Sequence, residues 1–182
     1  MKQNDEQLDL DAIDIQILGL LQEHCKLPFA KIGEKVGLSA PAVLERIKKL
    51  EDSGVITGYT VALDARKLGH DITAFIGVSI THPKAIRSFE EQIHSRAEVL
   101  ECHHVTGGYT LLLKVKTFNT STLEELISHI RSIDGVGRTE TMVVLSTHTE
   151  RSSLVLKPEQ PASRRRGRRN GDKLVLQGDT AS

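Results

Sequence analysis

Between Pro28 and Thr60 the chain reads Pro-Phe-Ala-Lys-Ile-Gly-Glu-Lys-Val-Gly-Leu-Ser-Ala-Pro-Ala-Val-Leu-Glu-Arg-Ile-Lys-Lys-Leu-Glu-Asp-Ser-Gly-Val-Ile-Thr-Gly-Tyr-Thr. Two amphipathic segments of helical length this close together must bury their stripes against each other and a third element, which constrains the fold to a helix-turn-helix. Phe29, Ile32 and Val36 recur at helical intervals and Gly37 is the natural stop. Leu38 plugs the turn, Ser39 caps the next helix, and Pro41 falls in its first turn, where a missing N–H costs nothing. In that helix Val43, Ile47 and Leu50 point inward, which leaves Ala42, Glu45, Arg46 and Lys49 as the outward stripe. With Ser39, Ala40 and Pro41 of the leading turn, these are the candidate DNA-contacting residues, because the second helix of such a unit is the one that enters the major groove.

Charge supports this by its position, not its sum. The chain has 24 Lys+Arg against 24 Asp+Glu. Residues 1–60 hold seven bases against ten acids, yet residues 26–50 hold six bases against only Glu34 and Glu45. The positive charge is therefore concentrated where phosphates would be met. A fully solvated helix face is the alternative reading of Arg46, Lys48 and Lys49. Ala40, Pro41 and Ala42 can touch a thymine methyl but make no bidentate hydrogen bonds, so much of the sequence preference is expected from bendable, A·T-rich DNA.

Upstream, Asp11 can cap a helix whose face is Ile13, Ile17, Leu20 and Leu21, completing three helices. Downstream, Val55 to Leu63 is β-branched and aromatic enough for a wing strand. From Asp71 the period changes to two: Ile72, Ala74, Ile76, Val78 and Ile80 alternate with Thr73, Phe75, Gly77 and Ser79. Pro83 opens a helix with Ile86, Phe89 and Ile93 inward, strands over 99–106 and 109–117 are joined at Gly107-Gly108, and a capping box Ser121-Thr-Leu-Glu124 starts a helix with Leu123, Ile127 and Ile130 inward. A last strand runs from Arg138 to Thr147. The predicted fold class is α+β: an N-terminal winged helix-turn-helix over residues 1–60, a linker over 61–70, and a ferredoxin-like βαββαβ domain over 71–156. Helices cover one side of such a sheet, and the other side needs a partner, which predicts a homodimer.

Residues 157–182 add seven bases against three acids, centred on Ser163-Arg-Arg-Arg-Gly-Arg-Arg-Asn-Gly171. This is a basic, low-complexity tail whose composition predicts disorder, and it reads either as a solubilising extension or as a nonspecific phosphate-binding arm.

With 38% hydrophobic residues the chain can bury real cores. It has no apolar run of about 18 residues and no basic-then-apolar leader, so no membrane segment is expected and the protein is placed in the cytoplasm. Cys25 and Cys102 are expected as buried thiols. Side chains alternate along a strand, so Cys102-His-His104 is not read as a metal site, and no nucleophile elbow or phosphate loop is present; no catalytic residue, metal or cofactor is expected.

Leu10-Asp-Ala-Ile-Asp14, Gly37-Leu-Ser39, Arg46-Ile-Lys-Lys-Leu-Glu51, Gly54-Val-Ile-Thr-Gly-Tyr-Thr60 and Val105-Thr-Gly107 followed by Leu111-Leu-Leu-Lys-Val115 together resemble the Lrp/AsnC family of feast/famine transcription regulators, over about residues 8–150. The resemblance implies dimers assembling into tetramers or octamers on double-stranded DNA, and an amino acid or related metabolite as effector. It places the effector at the 107–108 turn, with Thr106, Gly107, Gly108, Tyr109 and Thr110 beside Thr139 and Thr141. Amino-acid-binding members commonly carry acidic residues where this chain has Gly108 and Thr110, so the counter-charge for an α-ammonium group is not supplied there. Two other functions fit the resemblance less well. Siroheme decarboxylases resemble the family in both domains but are expected to carry an Arg- and His-rich segment after the wing, where this chain has Tyr59-Thr-Val-Ala-Leu-Asp64. A DNA-organising protein would need no effector.

Overall fold

The computed structural model describes residues 10–156, which divide into two compact units, one running to Tyr59 and joined by the segment from Ser152, the other Thr60–Arg151. In the first unit α1 (Ala12–Glu23), α2 (Phe29–Val36) and α3 (Ala40–Asp52) pack around Ile17, Leu21, Ile32, Val43 and Ile47. Asp11 caps α1 by accepting from the Asp14 N–H at 2.8 Å while the Asp14 carboxylate accepts from the Asp11 N–H at 3.2 Å, a reciprocal box that satisfies two otherwise orphaned donors. Phe29, expected in the core, is 39% exposed, and Leu27 and Leu38 pack against the cluster from the turns instead.

The turn between α2 and α3 rests on a glycine that periodicity alone does not flag. Gly37 takes the left-handed conformation (φ 72°) that ends α2, but Gly33 is what lets the chain fold back: a Cβ there would run into the Leu38 carbonyl oxygen, and the Leu38 N–H donates to the Gly33 carbonyl at 3.0 Å. After α3, Gly54 (φ 75°) reverses the chain and the Ile56 N–H reaches the Leu50 carbonyl at 3.0 Å. No strand forms over 55–63, so the expected wing strand is corrected to an irregular segment. A strand needs a ladder partner, and the contacts made here are of another kind: the Ile56 N–H on the Leu50 carbonyl, Ile56 against the helical core, and Tyr59 Oη donating to Glu51 at 2.8 Å.

The second unit is a four-stranded antiparallel sheet in the order β2-β3-β1-β4, built from β1 (Ile72–Ile80), α4 (Ala85–His94), β2 (Val99–His104), β3 (Leu111–Thr117), α5 (Thr120–Ser132) and β4 (Val136–Val143). Ala74, Ile76 and Val78 of β1 and Leu111, Leu113 and Val115 of β3 are fully buried against Phe89, Ile93, Leu123, Leu126 and Ile130 of the two helices. The cap of α5 lies two residues earlier than expected, at Asn119 in place of Ser121: Asn119 accepts from the Thr122 N–H at 3.0 Å, and Leu126, not Ile127, takes the fully buried position. Strand β4 ends at Val143, short of the expected Thr147. The stretch expected as a linker carries a short helical turn, Arg66–Leu68, and is fastened to this unit by His70 stacked on Phe118 with ring centroids 4.3 Å apart.

Candidate DNA-reading helix and effector loop

The outward face of α3 is rotated from the expected stripe. Pro41, Leu44, Glu45, Lys48 and Lys49 are exposed, whereas Ala42 and Arg46 are half-buried on the flank toward α1. Arg46 Nη1 donates to both Asp11 Oδ2 and Asp14 Oδ1 at 2.7 Å. One guanidinium thus ties the middle of α3 to the capping box of α1, and two carboxylates already hold the charge that was expected to face DNA. The Asp14 N–H and then Arg46 draw the Asp11 carboxyl below its ordinary pKa. The signal was present in the spacing: Arg46 stands three residues after Val43 and four before Leu50, on the edge of the buried stripe, and Asp11 with Asp14 is the acidic pair one turn apart that it needs. Leu44 and Lys48, which that reading omitted, lie on the exposed row with Pro41 and Glu45. Ser39 caps α3 by accepting from the Ala42 N–H at 3.4 Å, and Ala40 is half-buried.

The candidate effector residues do not all share one side of the sheet. Strands β2 and β3 are joined by six residues, 105–110, in place of a two-glycine turn, closed by the Val105 N–H on the Thr110 carbonyl at 3.1 Å. Gly107 holds φ 119°, Thr106 and Gly108 are exposed, and Gly108 O accepts from Ser79 Oγ at 3.4 Å. Tyr109 leaves the strand and lays its ring over Gly77, where an added Cβ would stand 2.7 Å from the ring. Gly77 points away from the helices, since its neighbours Ile76 and Val78 point into the core. Glu140 pairs with Gly77 across the β1–β4 ladder and so shares this open face; its carboxylate raises the Tyr109 phenol above the ordinary value and accepts from Arg138 at 2.7 Å.

Thr139 and Thr141 pair with Val78 and Ile76 and therefore face the helices, as the 2.8 Å hydrogen bond from Arg131 Nε of α5 to Thr139 Oγ1 requires. Thr110 Oγ1 accepts from the Ile80 N–H at 3.0 Å. The structure thus brings Tyr109 together with Glu140 and Arg138, and separates both from Thr139 and Thr141. Glu140 is the residue that sequence reasoning missed: a carboxylate beside the loop, delivered by β4 from 30 residues away, in a chain whose loop carries none. Lower on the same open face, a groove of about 780 Å³ runs past Thr73, Phe75, Lys114, Lys116 and His148. There Lys114 Nζ donates to Glu101 at 3.2 Å and Glu150 at 2.6 Å, which draws both carboxyls below their ordinary range; His103 is the larger influence on Glu101.

Both cysteines are exposed residues, contrary to expectation, and burial followed by the charge of Glu90 pushes the Cys102 thiol up. Among the described residues no group of three metal-ligating side chains occurs and no helix is long and apolar enough to cross a membrane.

Comparison with known proteins agrees with this architecture. Residues 10–51 match the AsnC-type helix-turn-helix domain and residues 73–154 the Lrp/AsnC ligand binding domain. The HTH-type transcriptional regulator FL11 of Pyrococcus horikoshii is 36% identical over 148 residues, 81% of this chain and 97% of the relative. The regulatory protein AsnC of Haemophilus influenzae is 32% identical over 136 residues, 74% of this chain and 91% of the relative. Among solved structures, a transcriptional regulator of Neisseria meningitidis in complex with L-Met superposes with a TM-score of 0.78 at 32% identity, covering 81% of this chain and 97% of that one. AsnC of E. coli gives 0.74 at 30% identity, covering 79% and 97%. With both halves matched in order and the fold shared over 79–81% of its length, this chain is a member of the Lrp/AsnC family of transcriptional regulators.

Proposed function

We propose that this regulator acts in the cytoplasm, placing the exposed face of α3, with Pro41, Leu44, Glu45, Lys48 and Lys49, in the major groove of double-stranded DNA. The observation that carries the reading is the rotation of α3: Arg46 is spent on α1, and Lys48 and Lys49 are the cations left on the outward face. Lys48→Ala and Lys49→Ala should each weaken binding to a duplex recovered by selection from a random pool, by about 1–3 kcal/mol where the side chain reads a base edge. Unchanged affinity of both folded variants in an anisotropy titration would remove α3 from the groove.

Two further parts of the proposal concern the sheet unit. Its open face carries Phe75, Leu112 and Met142, the last 42% exposed, within a rim of Lys114, Glu101 and Glu140, and a second copy of the chain is the self-complementary occupant that a reader of two half-sites requires. The homodimer assembles further into tetramers or octamers. The effector, an amino acid or related metabolite, sits at the 105–110 loop with Tyr109, and Glu140 supplies the carboxylate that Gly108 and Thr110 do not. L-Met bound to the Neisseria relative supports this chemical class. A thermal-shift screen of the common amino acids, repeated on Glu140→Gln protein, tests it: stabilisation that survives the substitution would move the site elsewhere.

A further inference from the structure

The helix proposed to enter the groove carries an acid at the centre of its exposed face. By helical periodicity Glu45 lies nearly opposite the buried Val43, Ile47 and Leu50, in the second turn after the Ser39 cap. In a reading helix of this kind the leading turns are the part that meets base edges. Pro41 stands one turn before it and Leu44, 50% exposed, beside it, so two apolar side chains border the carboxylate at that end of the helix. Lys48 and Lys49 follow one turn later. Among the described residues neither closes an ion pair with Glu45, although Lys31 and Glu34 on α2 do so at 2.9 Å and Arg87 and Glu91 on α4 at 3.1 Å with the same spacings. The basic tail, residues 157–182, lies outside the described residues.

A carboxylate facing DNA is repelled by the phosphates, and the partners that can offset this on the floor of the major groove are its N–H donors, cytosine N4 and adenine N6. Adenine sets the N7 lone pair beside its amine, which repels a second acceptor, and cytosine has no acceptor there. We propose that Glu45 is a specificity-determining residue of α3, its carboxylate accepting a hydrogen bond from the N4 amine of a cytosine. This contact rests on the DNA-reading role proposed for α3 and names what the helix reads. Pro41 and Leu44 keep water from it, which strengthens a charge-assisted bond. The ammonium groups of Lys48 and Lys49 supply the attraction that offsets phosphate repulsion. The acid then costs affinity on every duplex except one that offers an amine at that place.

The test is binding selection from a random duplex pool with the full-length protein, Glu45→Ala and Glu45→Gln, followed by anisotropy titration of each against the duplex recovered for the wild type, at one salt concentration. Both substitutions fall at an exposed position, and circular dichroism melts check that the fold is kept. A C·G pair is expected at one position of the site recovered by the wild type, no preference there for Glu45→Ala, and a shift toward A·T for Glu45→Gln, because an amide pairs with adenine N6 and N7. Replacing that cytosine by N4-methylcytosine, whose methyl takes the place of the groove-facing hydrogen, should weaken the wild type about tenfold or more and leave Glu45→Ala unaffected, as expected of a lost hydrogen bond to a charged group. The same preferred sequence for wild type and Glu45→Ala, with equal response to N4-methylcytosine, overturns the base contact and leaves the α3 reading standing on the Lys48 and Lys49 variants. An A·T pair whose preference is lost in Glu45→Ala overturns the assignment to cytosine. No duplex selected by the wild type, with the Lys48 and Lys49 variants indistinguishable from it, overturns both.

Discussion

The three-helix unit and the sheet unit finish their surfaces in opposite ways. In the first, polar groups are matched inside the unit: Asp11 caps α1, Arg46 joins both carboxylates of the capping box, and Tyr59 closes on Glu51. In the second, the helix side is closed by a large aliphatic core while the open side keeps Phe75, Leu112 and Met142 among charges. The matched unit is complete by itself and presents a rigid helix. The half-covered unit leaves apolar area that burial elsewhere would stabilise. The difference teaches that the helix α3 is oriented by contacts within one chain, whereas the open side of the sheet keeps apolar and charged groups that one chain leaves uncovered, which is where the proposed assembly and effector response would act.

The largest effect expected is Gly33→Val, which drives a side chain into the Leu38 carbonyl at the tight turn and should cost about 3 kcal/mol. Circular dichroism melts and anisotropy should show the three-helix unit destabilised and DNA binding lost, with light scattering still reporting the oligomer. Loss of the oligomer as well would break the contrast between the units. Next is Phe75→Glu, which sets an unpaired carboxylate on the open face and should weaken self-association by about 2–3 kcal/mol with little effect on the monomer. An unshifted dimer by light scattering would put the interface elsewhere.

Arg46→Met should cost about 2 kcal/mol, because the Asp14 side chain is only 12% exposed and loses a charged partner. The sign with pH follows from Asp11, whose folded pKa lies below its ordinary 3.8. Its contribution is present above that ordinary value and is lost as pH falls through the folded value, so the gap between wild type and variant should close in acid. A gap that persists unchanged there would mean that packing, not the ion pair, holds α3.

Gly77→Ala is smaller, about 1 kcal/mol, since the Tyr109 ring can swing aside. Its readout is spectrophotometric: released from Glu140, the phenol should titrate closer to 10.0. Tyr59→Phe is smallest, roughly 0.5–1 kcal/mol. Burial, then the bond to Glu51, pushes the Tyr59 phenol up to about 12, so its contribution is present below pH 10.0 and is lost as pH rises through the folded value. A stability difference that does not narrow in strong base would assign the effect to the ring alone.

Elements with one clean period were legible in the sequence. α1 with its Asp11 cap, α3 with Ser39, the alternation of β1, and the βαββαβ order all follow from spacing and caps. What escaped was what depends on two distant segments meeting. Gly33 matters only because Leu38 passes over it, and Gly77 only because Tyr109 does. Arg46 was read from its own helix, without the two carboxylates of another helix that claim it. Thr139 and Thr141 were grouped with the loop by sequence logic, but the register pairs them with Val78 and Ile76 and turns them to the other face. The wing strand failed for the same reason, since β-propensity names a candidate and only a neighbouring strand makes a ladder.

The bond between Arg46 and the α1 carboxylates bears on how ionic strength acts on this protein. Its side chain is 31% exposed and that of its partner Asp11 52%, so added salt weakens this tie between α3 and α1, though less than it would a fully exposed pair. Salt therefore reaches DNA binding by two routes: it competes for phosphates, and it loosens the helix that is to meet them. A plot of log affinity against log salt would then curve, and its steepness would exceed what the number of phosphate contacts alone predicts. Only differences between variants that keep Arg46 isolate those contacts, because the softening of the helix is common to both and cancels.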